Sequence, residues 1–199
     1  MIAIIDYRMG NLYSIRNAFQ KVGADAKIVS KPEELKDADA IVIPGVGSFD
    51  EGVRNLKPFI GTVKDAIKSG TPFMGICLGM QVLFDSSEEG KEKGFGIIPG
   101  KVVRLPKSVI VPQIGWNELK IRKQNCLLKG LSDGDFFYFV HSYHCVPKDK
   151  NMILATIDYG TEIAASVAFD NVCAFQFHPE KSGPKGLAIL ENFAGDLRC

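Results

Sequence analysis

The sequence has 199 residues, of which 46% are hydrophobic and 24% are charged, as in an ordinary globular protein. We therefore expect a single domain, residues 1–199, with a substantial buried core. The net charge of +1 gives no reason to expect nucleic acid or an anionic membrane as a partner. The apolar run at residues 2–5 is too short for a signal peptide, and no segment approaches the roughly 20 apolar residues of a membrane helix.

The cysteines are odd in number and dispersed, and no CxxC pair is present: Cys77, Cys126, Cys145, Cys173 and Cys199. This pattern does not indicate a disulfide framework. It favours reduced thiols and a cytoplasmic protein.

Strands and helices alternate through the first half of the chain. Apolar runs predict strands at Ile2–Ile5, Ala26–Val29, Ala40–Ile43 and Pro72–Ile76. Apolar residues at helical spacing predict helices at residues 12–22 (with Asn11 as N-cap), 49–56, 59–69 and 78–84. A further short helix is predicted to begin at Pro32-Glu33-Glu34, where proline takes the first helical position and acidic residues the first turn. This order predicts an α/β fold, a doubly wound, mostly parallel sheet with flanking helices and a site at the C-terminal strand ends.

The second half is richer in short strands. The charged stretch Asp85–Lys93 predicts a solvated loop. Strands are predicted at Lys101–Leu105, Glu118–Ile121, Asp135–Val140, Tyr143–Val146, Met152–Ile157, Ala164–Phe169 and Val172–Phe177. Asp170-Asn171 fits a hairpin turn, and Gly186–Phe193 fits a closing helix. We therefore expect this half to be rich in antiparallel pairs.

The pattern Gly75-x-Cys77-x-Gly79 has the spacing of a cysteine nucleophile elbow. A predicted strand runs into Cys77 and a predicted helix follows, so the thiol lies at a helix N-terminus, where the thiolate is favoured. The amide of Leu78 would then point to where an oxyanion develops. The alternative for an isolated cysteine is a buried core thiol, but two glycines at this spacing favour the nucleophile.

A nucleophilic thiol needs a base, and His178 stands directly after a predicted strand. Residues two apart in an extended chain point the same way, so Glu180 can lie beside this imidazole and fix its tautomer. The sequence therefore predicts a triad of Cys77, His178 and Glu180. A hydrogen-bonded surface histidine is the alternative.

His141 and His144 do not predict a metal site. Strand alternation places them on opposite faces, and no second pair of ligands has metal spacing. A structural or substrate-lining role is the better interpretation.

Three segments together resemble the class I (triad) glutamine amidotransferases: PGVGSF at 44–49, GICLGMQ at 75–81 and FHPEKS at 177–182. The resemblance covers nearly the whole chain. Within this class it is strongest to the glutaminase subunits of imidazole glycerol phosphate synthases, enzymes of histidine biosynthesis. That narrower resemblance depends on GMQ at 79–81 in place of GHQ, PGVG at 44–47 in place of PGPG, PQIGWN at 112–117 beside the family's PHMGWN, FVHSY at 139–143 and HPEKSG at 178–183.

The resemblance implies that Cys77 attacks the side-chain amide of glutamine, with His178 as general base and Glu180 as its orienting residue. Glutamate leaves through a thioester, ammonia is the useful product, and neither cofactor nor metal takes part. The implied oxyanion-hole residues are Val46, Gly47 and Leu78. The implied substrate-binding residues are Gly45, Gln81, Glu89, Ser142 and Tyr143; for Glu89 the alternative is a solvated surface charge.

The resemblance also implies a partner, a (β/α)8-barrel cyclase subunit that receives the ammonia. There a ribulosyl-formimino nucleotide would become imidazole glycerol phosphate and aminoimidazole carboxamide ribotide. The residues that match positions near the docking face are Asn11, Trp116, Tyr138 and Lys181. A core position for Trp116 and a solvated charge at Lys181 are the alternatives.

Two residues depart from the family pattern: Arg8 replaces the glycine of DYGxGN, and Gln113 replaces the histidine of PHMGWN. Neither belongs to the triad. Three other functions stay open at this point: a glutaminase for a pyridoxal-phosphate or anthranilate type of synthase, a non-catalytic regulator, and a stand-alone thiol hydrolase.

Overall fold

The computed structural model describes residues 1–195, so the last four residues of the expected domain, Cys199 among them, lie outside the described residues. The strands are Ile2–Ile5 (β1), Ala26–Val29 (β2), Ala40–Ile43 (β3), Phe73–Ile76 (β4), Phe84–Ser87 (β5), Ile98–Arg104 (β6), Gln113–Glu118 (β7), Lys120–Ile121 (β8), Phe136–His141 (β9), Tyr143–Pro147 (β10), Ile153–Asp158 (β11), Glu162–Phe169 (β12) and Val172–Phe175 (β13). The α-helices are Leu12–Lys21 (α1), Phe49–Leu56 (α2), Ile60–Lys68 (α3), Leu78–Gln81 (α4) and Gly183–Gly195 (α5). Short 3-10 turns occur at Pro32–Leu35, Cys126–Leu128, Lys150–Met152 and Pro179–Lys181.

Within the described residues, eight strands form the central sheet in the order β2-β1-β3-β4-β13-β12-β11-β8. The first five of these strands pair in parallel, and the last three add antiparallel pairs. A two-residue turn at Asp170-Asn171 joins β12 to β13, as predicted. The predicted fold class, a mostly parallel sheet with an antiparallel-rich C-terminal half, is therefore confirmed.

Helices cover both faces of this sheet because its strands are apolar on both sides. Ile4 faces the layer of α1 and α5, where it shares a core with Phe19 and Phe193. Ile5 faces the other way, toward Phe49 of α2 and the residues of α3. None of the helices in residues 1–195 has both the length and the apolar character needed to span a bilayer.

The segment after the elbow differs from the prediction. Helix α4 ends at Gln81 rather than Phe84, because Phe84 begins β5 and pairs with Ile98 of β6. The predicted loop Asp85–Lys93 is therefore part strand. The rest of the loop is held against α2, since the carboxylate of Asp50 accepts hydrogen bonds from two loop amides.

Strand β7 was not predicted, and the predicted strand Glu118–Ile121 divides between β7 and β8. The cause is an inverted pattern, in which Ile114 and Trp116 are exposed while the polar Gln113 is buried. The placement of His141 and His144 on two faces of one strand was also wrong, because they belong to β9 and β10 in different sheets.

The thiols of Cys77, Cys145 and Cys173 are free and buried. Cys126 is disulfide-bonded. The expectation of reduced thiols therefore fails at Cys126.

Candidate active site

Three neighbouring strands deliver the predicted segments to one place. Strands β3, β4 and β13 lie side by side and run in parallel, so their C-terminal ends meet at one edge of the sheet. Residues 44–47 follow β3, Cys77 follows β4, and residues 176–178 follow β13. The topology thus brings together segments that lie about 30 to 130 residues apart in sequence.

The elbow at Cys77 needs glycine on both sides. Cys77 has φ 54°, in the left-handed region, and its amide donates to the carbonyl of Phe175 at 2.7 Å. A Cβ at Gly79 would lie 1.8 Å from the carbonyl oxygen of Ile43, and one at Gly75 would lie 2.6 Å from the carbonyl oxygen of Gly79. Both distances are shorter than any real contact, so these glycines allow β3, β4 and α4 to approach closely.

His178 and Glu180 form a buried pair. Nδ1 of His178 lies 2.8 Å from Oε1 of Glu180, and each side chain is only 3% exposed. A carboxylate only accepts hydrogen bonds, so Nδ1 carries a proton and Nε2 is left for the thiol. Burial opposes the charged imidazole, but interactions with Cys77 and Glu180 outweigh it and raise the pKa of His178. The imidazole is therefore oriented to act as a base toward the thiol of Cys77.

The side chain of Gln176 lies between the thiol of Cys77 and the side chain of Gln81. Its Nε2 lies 3.7 Å from Sγ of Cys77, and its Oε1 accepts a hydrogen bond of 3.2 Å from Nε2 of Gln81. The same nitrogen of Gln81 also donates to the carbonyl of Tyr143 at 3.0 Å. Sequence reasoning missed Gln176, although it precedes His178 by two residues and period-2 spacing could have indicated its direction.

The amide of Leu78 is already occupied. It donates to the carbonyl of Gly45 at 3.3 Å. An oxyanion at Cys77 could use this amide only after the Gly45 carbonyl turns away. The loop is therefore in an arrangement in which this amide is not free to bind an oxyanion.

Tyr7 lies beneath the same loop and was not singled out from the sequence. Its hydroxyl donates to the carbonyl of Pro44 at 2.7 Å, and a Cβ at Gly45 would lie 2.0 Å from this hydroxyl oxygen. Burial, together with the nearby charge of Cys77, raises the pKa of Tyr7. The phenol therefore stays protonated and remains a donor. The sequence did contain one indication of this role. Tyr7 follows β1, and the C-terminal end of β1 lies at the same edge of the sheet as Cys77.

A cavity of about 210 Å³ lies beside Cys77. Most of the residues predicted to hold substrate or oxyanion line it: Val46, Gly47, Leu78, Gln81, Glu89, Ser142 and Tyr143. Gly45 is not on the wall but belongs to the adjoining loop. Three wall residues were not predicted as binding residues: Pro112, Val140 and His141, the last of which was considered only for a lining role.

Glu89 is fixed at this cavity by a hydrogen bond. Its Oε2 accepts from the amide of Phe49 at 2.8 Å, at the N-terminus of α2. The side chain therefore has a defined partner next to residues 44–47.

Three of the predicted interface residues form one surface cluster. The ring of Trp116 packs edge-on against Tyr138 at 6.1 Å, and Nζ of Lys181 lies 5.8 Å from the centre of the Tyr138 ring. Trp116 is 54% exposed, so the core position considered for it is wrong. Asn11 caps α1 by accepting from the amide of Ser14 at 3.2 Å.

The two departures from the family pattern have clear local settings. Arg8 adopts φ 66° and its amide donates to Oδ1 of Asp6 at 2.9 Å, so the loop keeps a left-handed residue without glycine. Gln113 is buried opposite His141 in the β7–β9 pair.

Among residues 1–195, no group of three or more His, Cys, Asp or Glu is placed to hold a metal ion.

A family model described as glutamine amidotransferase class-I matches residues 3–197. The chain is 47% identical over 194 residues to imidazole glycerol phosphate synthase subunit HisH of Aquifex aeolicus, covering 96% of this chain and 94% of that protein. It is 49% identical over 200 residues to the subunit HisH of Methanothermobacter thermautotrophicus, with 100% of both chains covered.

Solved structures share the fold at low sequence identity. The structure of PurLQS from Thermotoga maritima superposes with a TM-score of 0.80 at 18% identity, covering 99% of this chain and 98% of that chain. A structure described as a glutamine amidotransferase superposes with a TM-score of 0.75 at 21% identity, covering 98% of this chain and 100% of that chain. At these identities the likeness concerns the fold alone.

Proposed function

The chain belongs to the class-I glutamine amidotransferase family, and from this we propose that it is the glutaminase subunit of an imidazole glycerol phosphate synthase. The relatives named as that subunit are 47% and 49% identical over almost the whole chain. The observation that carries the chemistry is the 2.8 Å contact of His178 and Glu180, at the end of the strand beside Cys77. A thiol, a base and an orienting carboxylate are the groups that amide hydrolysis needs.

In the proposed reaction, Sγ of Cys77 attacks the side-chain amide carbon of glutamine. The C–N bond breaks as protonated His178 gives its proton to the leaving nitrogen, and ammonia departs from a glutamyl thioester. Water, deprotonated by His178, then attacks the thioester, and glutamate and the Cys77 thiol are released. Glu180 holds the imidazole in the tautomer that serves both steps.

We assign the oxyanion hole to the amides of Leu78 and of the loop Val46–Gly47. The hydrogen bond from Leu78 to the Gly45 carbonyl means that the hole must first be completed. Rotation of the Gly45–Val46 peptide would free the Leu78 amide and turn the Val46 amide toward the same place. One peptide movement would thus supply two donors.

Substrate binding is assigned to the cavity wall. Gln81 is held by the Tyr143 carbonyl and by Gln176, so its amide group is already oriented. Glu89 and the backbone of Ser142 and Tyr143 lie on the same wall, where they can meet the charged amino and carboxylate groups of free glutamine. Gly45 contributes by its backbone next to this wall.

The partner we propose is a (β/α)8-barrel cyclase subunit that docks on the face of Asn11, Trp116, Tyr138 and Lys181. Trp116 is half exposed and packs on Tyr138, an arrangement suited to an aromatic anchor in an interface. Lys181 directly follows Glu180, so this face adjoins the triad, and ammonia released there has a short way to the partner.

We further propose that residues 1–199 form one domain and that the protein works in the cytoplasm. The family model spans residues 3–197, and one sheet contains strands from both halves of the described chain. The reaction requires a free thiol at Cys77, and this thiol is free, although the bond at Cys126 shows that not every cysteine is reduced.

Glutamate release in the presence of candidate partners tests the proposal. We expect a purified imidazole glycerol phosphate cyclase subunit, with its nucleotide ligand, to stimulate release, whereas pyridoxal-phosphate or anthranilate synthase subunits should not. Full activity of the chain alone would instead indicate a stand-alone thiol hydrolase. No glutamate under any condition would indicate a non-catalytic regulator.

A further inference from the structure

Two buried acceptor atoms on the paired strands β7 and β9 have no hydrogen-bond partner within residues 1–195. His141 of β9 and Gln113 of β7 stand directly opposite each other in the antiparallel pair. They are 6% and 3% exposed, respectively. Nε2 of His141 and Oε1 of Gln113 are both buried, and neither has a hydrogen-bond partner among the described residues.

His141 Nε2 is a hydrogen-bond acceptor, because the other ring nitrogen, Nδ1, carries the proton. Nδ1 of His141 lies 2.8 Å from the carbonyl oxygen of Tyr143, and a carbonyl only accepts, so Nδ1 carries the proton. Nε2 therefore presents a lone pair. His141 also lies on the wall of the cavity that Cys77 lines.

The two acceptors point to a small ligand that donates hydrogen bonds. Side chains directly opposite on one face of an antiparallel pair have their Cβ atoms about 4.5–5.5 Å apart, so a small molecule lying between the two side-chain ends would contact both acceptors. Ammonia carries three N–H donors, and under the proposed function it is formed at Cys77. We propose that His141 Nε2 and Gln113 Oε1 form a binding site for ammonia as it leaves Cys77, an inference that rests on the proposed function.

A neutral acceptor suits this task. Burial lowers the pKa of His141 to about 4, and the nearby His144 and His178 act in the same direction. An imidazolium would give ammonia a proton and remove the lone pair that makes it a nucleophile. The neutral ring of His141 holds ammonia without protonating it.

The site also gives a reason for the unusual residue Gln113. The resembling family has histidine here, and a neutral imidazole nitrogen and an amide oxygen are both acceptors. Gln113→His should therefore keep the site, whereas Gln113→Met keeps the size of the side chain and removes the acceptor. Ser166→Ala is a matched control, since Ser166 Oγ, in β12, is likewise buried and has no partner in the part of the chain that the structure describes.

Hydroxylamine can stand in for ammonia as a probe. Its nitrogen attacks the thioester carbon, the C–S bond breaks, and γ-glutamyl hydroxamate and the Cys77 thiol are formed. The measurement is the ratio of hydroxamate to glutamate as hydroxylamine is raised, in the complex of the full chain with its cyclase subunit and nucleotide ligand. A bound amine gives a ratio that saturates, and added ammonium should compete.

We expect the wild type, Gln113→His and Ser166→Ala to saturate alike. Gln113→Met should need about two- to tenfold more hydroxylamine for half-saturation, the range for one net hydrogen bond. A wild-type ratio that rises linearly would overturn the site, and would be expected if Gln113 and His141 simply bonded each other. An equal shift in Ser166→Ala would also overturn it. Absence of both products from the wild type would overturn the proposed function and the site with it.

Discussion

The amide of Leu78 donates a hydrogen bond to the carbonyl of Gly45 at 3.3 Å. The group best placed to stabilise an oxyanion at Cys77 is therefore taken by the glycine loop. Gly47, with φ 114°, shows that the loop already uses backbone conformations that other residues avoid. Reorientation of a peptide here is correspondingly inexpensive.

The first prediction is that the chain without its partner has almost no glutaminase activity. A missing oxyanion donor costs about 10²–10³ in rate, so the chain alone should release glutamate at least that much more slowly than its complex with cyclase and nucleotide ligand. The measurement compares the chain alone, with cyclase, and with cyclase plus ligand. Equal rates in all three would rule out a rate-limiting rearrangement of the loop at Gly45–Val46.

The second prediction concerns the tyrosine that holds the loop. Tyr7→Phe leaves the buried Pro44 carbonyl without its 2.7 Å hydrogen bond and should lower the free energy of unfolding by about 1–3 kcal/mol. Tyr13→Phe is the control, because Tyr13 is 65% exposed and should change stability by less than about 0.5 kcal/mol. Urea unfolding measures both. Equal effects would show that Tyr7 does not anchor the loop.

The third prediction concerns the thiols. Burial raises the pKa values of Cys145 and Cys173, which makes them poor nucleophiles. Cys77 lines the cavity to which we assign substrate binding, so a glutamine-like diazo ketone should alkylate it first. Peptide mapping identifies the labelled residue. Faster labelling of Cys145 or Cys173 would contradict the assignment of the nucleophile.

The fourth prediction uses the low pKa of His141, about 4 in the folded chain against an ordinary value of 6.5. Between these values the unfolded chain binds a proton that the folded chain excludes. Stability should therefore fall as pH drops from about 6.5 to about 4, by roughly 3 kcal/mol in total, and level off below. His141→Asn keeps a donor for the Tyr143 carbonyl and should lose this dependence. The measurement is the unfolding of both proteins across this pH range. If His141→Asn showed the same pH dependence of stability as the wild type, the prediction would be wrong.

The triad could be predicted from the sequence because the patterns that indicate it are short. Cys77 lies between two glycines at fixed spacing, and His178 and Glu180 are two residues apart after a strand. The alternation of strands and helices was likewise enough to predict the parallel sheet.

The features that were missed depend on contacts between distant segments. Tyr7 meets Pro44 only because β1 and β3 are neighbours in the sheet. Gln113 is buried because it pairs with His141 of β9. Strand β7 was not predicted because its apolar residues Ile114 and Trp116 are exposed. Helix α4 stops early because Phe84 finds a β partner, a tertiary effect that helical spacing does not contain.

The most direct test of the account is the reaction of the Cys77→Ala complex with two nitrogen sources. If this chain only supplies ammonia, glutamine-dependent formation of imidazole glycerol phosphate should fall by about 10⁴- to 10⁶-fold, as for loss of other triad nucleophiles. Synthesis from high concentrations of ammonium should continue at the wild-type rate, because the cyclase performs the ring chemistry. Persistence of glutamine-dependent synthesis, or loss of the ammonium-dependent reaction as well, would contradict the account.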